Sequence, residues 1–170
     1  AQAVEQARRA SAVVGRLRRV VERPGLEGQA QPVDLHAAVN DALHLLEPEL
    51  RQRGIGVQVQ ADAAMPAACT VRAEPVAVQQ IIHNLVMNAL QAMEQTPPGQ
   101  RALRLALSAD GRQARLSVRD TGPGVPPEAR ARLFTPFFTT RAGGLGLGLT
   151  LSEGLAQAMG GSLALAPAEG

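Results

Sequence analysis

Between residues 78 and 93 the apolar side chains fall at Val78, Ile81, Ile82, Leu85, Val86, Ala89, Leu90 and Met93. That i, i+3, i+4 recurrence predicts a helix with a broad buried face. Gln80, Asn84 and Asn88 form a second stripe at i, i+4, i+8, with Gln91 beside its end. Asparagine favours caps and turns over helix interiors, so two carboxamides one turn apart in an apolar helix sit against local propensity. They either face solvent or a neighbouring loop, or they mark a site.

The same kind of pattern sets out the rest of the chain. Ala3, Ala7, Ala10, Val14, Leu17 and Val21 step by four and three, a heptad seam that wants a partner helix. Pro24 to Pro32, with Gly25 and Gly28, reads as a linker. Residues 33–170 are expected to form the compact domain. Asp34 can cap a helix to about Arg53 that Gly54 ends, before the alternation Ile55, Val57, Val59 of a strand. A short strand is expected at Thr70 to Arg72. Glu74-Pro75 opens the asparagine-bearing helix and Thr96-Pro97-Pro98-Gly99 closes it. Leu103, Leu105, Leu107 and then Leu116, Val118 alternate around Asp110-Gly111, a hairpin signal. A short helix near Pro127 to Leu133, a helix from about Leu147 to Met159 and a strand at Leu163 to Leu165 complete the reading. The hairpin demands antiparallel pairs, so the expected fold is an α/β (α+β) two-layer sandwich, its sheet mixed and largely antiparallel with helices on one face.

Composition narrows the function. The 170 residues suffice for one sound core. With no Trp or Tyr and 2% aromatics, the core must be aliphatic, and stacking platforms for single-stranded nucleic acid are missing. No nucleic-acid partner is expected. All 17 basic residues are arginine, six of them within the first 23 residues, which reads as a solvated helix face or a contact for an acidic partner. Cys69 is alone, so neither a disulfide nor a zinc cluster is expected. The absence of an 18-residue apolar stretch, signal peptide or lipidation motif suggests a cytoplasmic setting, with any membrane anchor of a parent protein lying upstream.

Three further clusters carry chemistry. Asp120-Thr121-Gly122-Pro123-Gly124 follows a strand, placing a carboxylate at its terminus with glycines that let backbone approach a ligand. An ionised Asp only accepts hydrogen bonds, which suits an exocyclic amine; an Asx turn is the structural alternative. Asp-Thr-Gly is also an aspartic-protease signature, but that chemistry needs two such carboxylates and a dimer to supply the second. Gly143-Gly144-Leu145-Gly146-Leu147-Gly148 precedes a helix, whose free amides suit phosphate. It is neither the dinucleotide fingerprint nor a P-loop, since no strand directly precedes it and the chain has no lysine. Between them, Leu133 to Arg141 holds all three phenylalanines, a plausible mobile flap.

In order and spacing these clusters resemble the ATP-binding domain of sensor histidine kinases, within the gyrase, chaperone, histidine-kinase and mismatch-repair ATPase superfamily. Asn84 to Asn88 is similar to its N box, Asp120 to Gly124 to its first glycine box, Leu133 to Phe138 to its phenylalanine box and Gly144 to Gly148 to its second glycine box. The short flap looks closest to nitrogen-regulation sensors. The resemblance implies a Bergerat-type fold binding ATP and Mg²⁺, with Asn88 as metal ligand and Asn84 lining the phosphate end. It implies that Asp120 selects adenine, that Gly122 and Gly124 shape the base pocket, and that Phe134 and Phe138 pack the base of the lid. Thr140, Arg141, Gly144, Leu145, Gly146, Leu147 and Gly148 would face the phosphates. Gyrase-type relatives have Glu where Asn84 stands, so weak hydrolysis and transfer to a protein histidine are implied, with Asn84 and Arg141 assisting catalysis. Two positions depart from the pattern: Leu145 stands where Thr or Ser is usual, and Arg141 where short-lid members often have Lys.

By the same resemblance, Ala1 to Arg23 is the second helix of a dimerisation hairpin. The phosphoacceptor histidine is expected upstream of Ala1, since His36, His44 and His83 have no acceptor context, and a last strand is expected beyond Gly170. The implied parent is a homodimeric two-component phosphoprotein whose partners are its own dimerisation helix and the receiver domain of a response regulator. A nucleotide-free docking module of the same fold is the alternative.

Overall fold

The computed structural model describes residues 30–62, 69–140 and 144–167. The heptad helix, most of the linker and Arg141 lie outside the described residues. Strand β1 (Gln31–Asp34) leads into helix α1 (Leu35–Gln52), whose N-terminus is capped as expected: Asp34 Oδ1 accepts the His36 amide at 2.8 Å. Gly54, at φ +62°, turns the chain out of α1. Strands β2 (Gly56–Ala61) and β3 (Thr70–Ala73) follow, then α2 (Pro75–Ala92), the asparagine helix. The buried Glu74 caps α2 through both carboxylate oxygens, to Val76 N at 3.0 Å and Ala77 N at 2.7 Å. Pro75 takes the first helical position, where its missing N–H costs nothing.

Strands β4 (Ala102–Ala109) and β5 (Ala114–Asp120) form the expected hairpin. Its loop is fastened by Asp110 Oδ1, which accepts the amides of Arg112 and Gln113 at 3.1 and 2.9 Å. A short α3 (Pro127–Arg130) and α4 (Gly148–Ala158) complete the elements.

The strands make two sheets. β1 pairs antiparallel with β3, while β2, β4 and β5 lie in that order, β2 parallel and β5 antiparallel to β4. Leu103, Leu105 and Leu107 of β4 are sealed against Val39, Ala42, Leu46 and Leu50 of α1 and Ile82, Val86 and Leu90 of α2. Each such leucine contributes about 2 kcal/mol of burial. Alanines 38, 42, 77 and 89, all buried, keep the packed faces of both helices slim, which is how a core without Trp or Tyr closes.

One expected element is not formed. Residues 163–165 make no strand, and Leu165 is exposed. Three alternating residues supply few ladder bonds of their own, and without a paired neighbour the pattern alone does not hold an extended segment. Among the described residues no helix is long and apolar enough to cross a membrane.

Candidate functional site

Helix α2 carries both carboxamides toward α4. Asn84 Nδ2 donates to Ser152 Oγ at 3.1 Å, and Ser152 is completely buried. One turn along α2, Asn88 meets the start of α4: a Cβ added to Gly148 would stand 4.0 Å from Asn88 Nδ2. Both asparagines are half-buried, whereas Gln80 and Gln91 at the ends of the polar stripe are exposed. The stripe is thus split, its middle facing α4 and its ends facing out.

The first turn of α4 has no side-chain cap and no acidic residue, with Leu147 buried at the cap position. A helix start of this kind leaves backbone amides and a partial positive charge for an anion. Ahead of it, the phenylalanine segment is folded onto the glycine run. Phe137 N donates to Gly146 O at 3.0 Å, and Thr150 Oγ1 on α4 donates to Phe134 O at 3.0 Å. Gly146 holds φ +65°, and a Cβ there would fall 2.5 Å from Phe138 O. The Arg132 guanidinium lies 4.4 Å from the centre of the Phe138 ring, while Phe137, at φ +62°, is exposed. Thr140, Gly144 and Leu145 are exposed on either side of residues 141–143.

Asp120 ends β5, opposite Leu103 in the register, and its Oδ1 accepts the Gly122 amide at 2.8 Å. This is the Asx-type turn, and it coexists with an exposed carboxylate that keeps a second oxygen for a ligand. Thr121 fixes the turn: its hydroxyl donates to Gln100 O at 2.7 Å and accepts the Ala102 amide at 2.9 Å. Arg101 braces the adjoining loop by donating to the carbonyls of Thr96, Arg53 and Glu94. Gly124, at φ +76°, turns away with open space around it.

The chain therefore gathers Asn84, Asn88 and Gly148 at one place and seats the Asp120–Gly122 turn on the C-terminal end of the same helix, α2, at Ala92, one turn beyond Asn88. Ser152 was not among the residues expected, and Thr121 was named only as a member of the Asp120 to Gly124 cluster, with no role of its own. A serine one residue after Leu151, on the apolar side of α4, is the signal that could have found the first. Among the described residues no three His, Cys, Asp or Glu side chains converge on a metal position. Two carboxamides beside a helix start with free amides have the chemistry for a hard cation that takes its other ligands from phosphate and water, each able to offer its oxygen. An apolar hollow of about 420 Å³ between α1 and β2, lined by Leu43, His44, Ile55 and Val57 among others, contains none of these groups.

The sequence pattern of the histidine kinase-, DNA gyrase B-, and HSP90-like ATPases matches residues 73–170. The sensor protein TdiS of Thauera aromatica is 34% identical over 78% of this chain and 24% of its own length. The sensor histidine kinase ZraS of Escherichia coli K12 is 32% identical over 98% of the chain and 34% of its own. The chain thus spans about a quarter to a third of these sensors. Full-length ShkA, solved in complex with AMPPNP, superposes with a TM-score of 0.72 at 34% identity, covering 86% of this chain and 30% of ShkA. The catalytic domain of the histidine kinase ThkA gives 0.66 at 26% identity, covering 75% of this chain and 80% of that domain.

Proposed function

Given that the chain belongs to the histidine kinase-, DNA gyrase B-, and HSP90-like ATPases, as the ATP-binding catalytic module of a sensor histidine kinase, we propose how its residues hold the nucleotide and what the parent does with it. Asp120 accepts a hydrogen bond from the adenine amine, with Gly122 and Gly124 shaping the base pocket. Asn88 gives its carboxamide oxygen to Mg²⁺ and Asn84 lines the same end. The phosphates lie against backbone amides from Gly144, Leu145, Gly146, Leu147 and Gly148, and Thr140 and Arg141 close over them from the flap. The meeting of Asn88 with the uncapped start of α4 at Gly148 supports this reading, because it brings a carboxamide that can offer an oxygen to a cation beside a helix start that suits an anion. AMPPNP, the nucleotide in the ShkA complex, is an ATP analogue.

A carboxamide at position 84 is no base, so water is not activated there and the residues supply positioning and charge. In the parent, the bond from the γ-phosphorus to the bridging oxygen breaks and one to an imidazole nitrogen of the dimerisation helices forms, releasing ADP. The phosphoryl group then passes to the receiver domain of a response regulator; the related kinase fold of ThkA has been solved in complex with the response regulator TrrA. The parent is a homodimer through the heptad helix, and this module works in the cytoplasm. Membership of the ATPase family displaces the protease reading of Asp120-Thr121-Gly122.

Calorimetric titration of ATP into the chain, with and without Mg²⁺, tests the site. Binding is expected to vanish in Asp120→Ala and to lose its Mg²⁺ dependence in Asn88→Ala. No binding by the unaltered chain would instead make it a docking module.

A further inference from the structure

Ser152 and Glu74 are the buried polar residues among those described. Glu74 has a plain structural duty, the cap of α2. Ser152 caps nothing: it lies in the second turn of α4, fully enclosed, and the Asn84 carboxamide is bonded to its hydroxyl. An apolar or alanine side chain would fill that interface without the cost of enclosing a hydroxyl. Its presence ties the helix that carries the metal-side carboxamides to the helix whose first turn offers the anion site.

A carboxamide has two ends of nearly the same shape and opposite chemistry, an NH₂ that donates and an oxygen that accepts. Which end faces a ligand is decided by what holds the other. Mid-helix serines commonly donate their proton to the carbonyl four residues earlier, which leaves the oxygen as an acceptor. With Nδ2 taken by Ser152 at 3.1 Å, Oδ1 is the end of Asn84 left over to face a ligand. An oxygen suits a magnesium-bound nucleotide; an NH₂ group turned the same way would repel the cation.

We propose that Ser152 is a positioning residue for magnesium-nucleotide binding: it holds Asn84 by its amide nitrogen so that Oδ1 is presented at the phosphate end. This rests on the site reading above and adds to it a residue on the opposite helix. Partners that orient a metal's surroundings typically cost about 10- to 100-fold in affinity when removed.

The test is a double-mutant cycle on the whole chain, with Mg²⁺-ATP and Mg²⁺-free ADP affinities measured by calorimetry beside thermal unfolding. Ser152→Ala is expected to weaken Mg²⁺-ATP about tenfold while leaving Mg²⁺-free ADP within about twofold. In an Asn84→Ala background the same change is expected to cost nothing further. Equal weakening of both nucleotides, or a full additional loss in the Asn84→Ala background, would reduce Ser152 to packing and overturn the proposal. If the unaltered chain binds Mg²⁺-ATP, those results bear on Ser152 alone; if it does not, the site reading itself falls.

Discussion

Gly122 rests directly on the carbonyl of Ala92: a Cβ at that position would stand 2.8 Å from the Ala92 oxygen and 2.7 Å from Asp120 Oδ1. The loop that carries Asp120 is therefore seated on the last turn of α2, the helix that also carries Asn84 and Asn88. One of the two obstacles is backbone, so a side chain at 122 must lift the loop. Gly122→Ala is expected to destabilise the fold by about 1–3 kcal/mol. It should also weaken ATP binding at least about tenfold, a loss of roughly 1.4 kcal/mol. Denaturant unfolding and ATP titration check both, and an unchanged affinity would mean that Asp120 does not depend on this seat.

Thr121 is a second fastening of the same loop. Thr121→Val keeps the shape and removes a hydroxyl that donates to Gln100 O and accepts from Ala102 N. Because the position is exposed, water recovers part of the loss, and a cost of about 1 kcal/mol is expected. Thr121→Ser should recover most of it. The unfolding midpoints of the three chains decide the matter.

Gly146 combines two demands that only glycine meets. Its φ of +65° disfavours any side chain, and its Cβ site is occupied by the backbone of Phe137 and Phe138. Strain of about 1–2 kcal/mol from the dihedral alone adds to the steric conflict. Gly146→Ala is expected to free the phenylalanine segment from α4, read as faster limited proteolysis between Leu133 and Thr140. A cleavage rate equal to that of the unaltered chain would show the segment to be held elsewhere.

Acid should act on the β4–β5 hairpin through Asp110. The amides of Gln113 and then Arg112 hold its carboxyl below the usual aspartate value, so the folded hairpin takes up this proton less readily than the unfolded chain. Its contribution is complete above the unfolded carboxyl's range and fades as pH falls through the lowered folded value. Asp110→Asn is expected to flatten the loss of stability below about pH 4. Unfolding midpoints measured on both chains across the acid range would show it, and parallel slopes would refute it.

The elements that proved legible were those whose causes are local. Asp34 announces a helix start because a short carboxylate before an apolar repeat has amides within reach, and Pro75 announces another because its missing N–H costs nothing at the first helical position. Gly54 and Asp110-Gly111 announce reversals because glycine tolerates positive φ and Asp bonds its own turn. The pairing of β2 with β4 was not legible, since nothing in Val57 or Val59 says which distant strand runs beside it, or in which direction. Leu163 to Leu165 failed for the same reason in reverse: the alternation is present, and among the described residues no strand pairs with it.

By itself the sequence determined the helical faces, the caps and turns, and the resemblance carried by four clusters in order, because periodicity, backbone preference and motif spacing are properties of neighbouring residues. Tertiary structure alone decided that Ser152 meets Asn84 across 68 positions, and that Ala92 lies beneath Gly122. Those choices belong to packing: which hydroxyl or carbonyl lies opposite a given side chain is fixed only when α2, α4 and the β5 loop are pressed against one core.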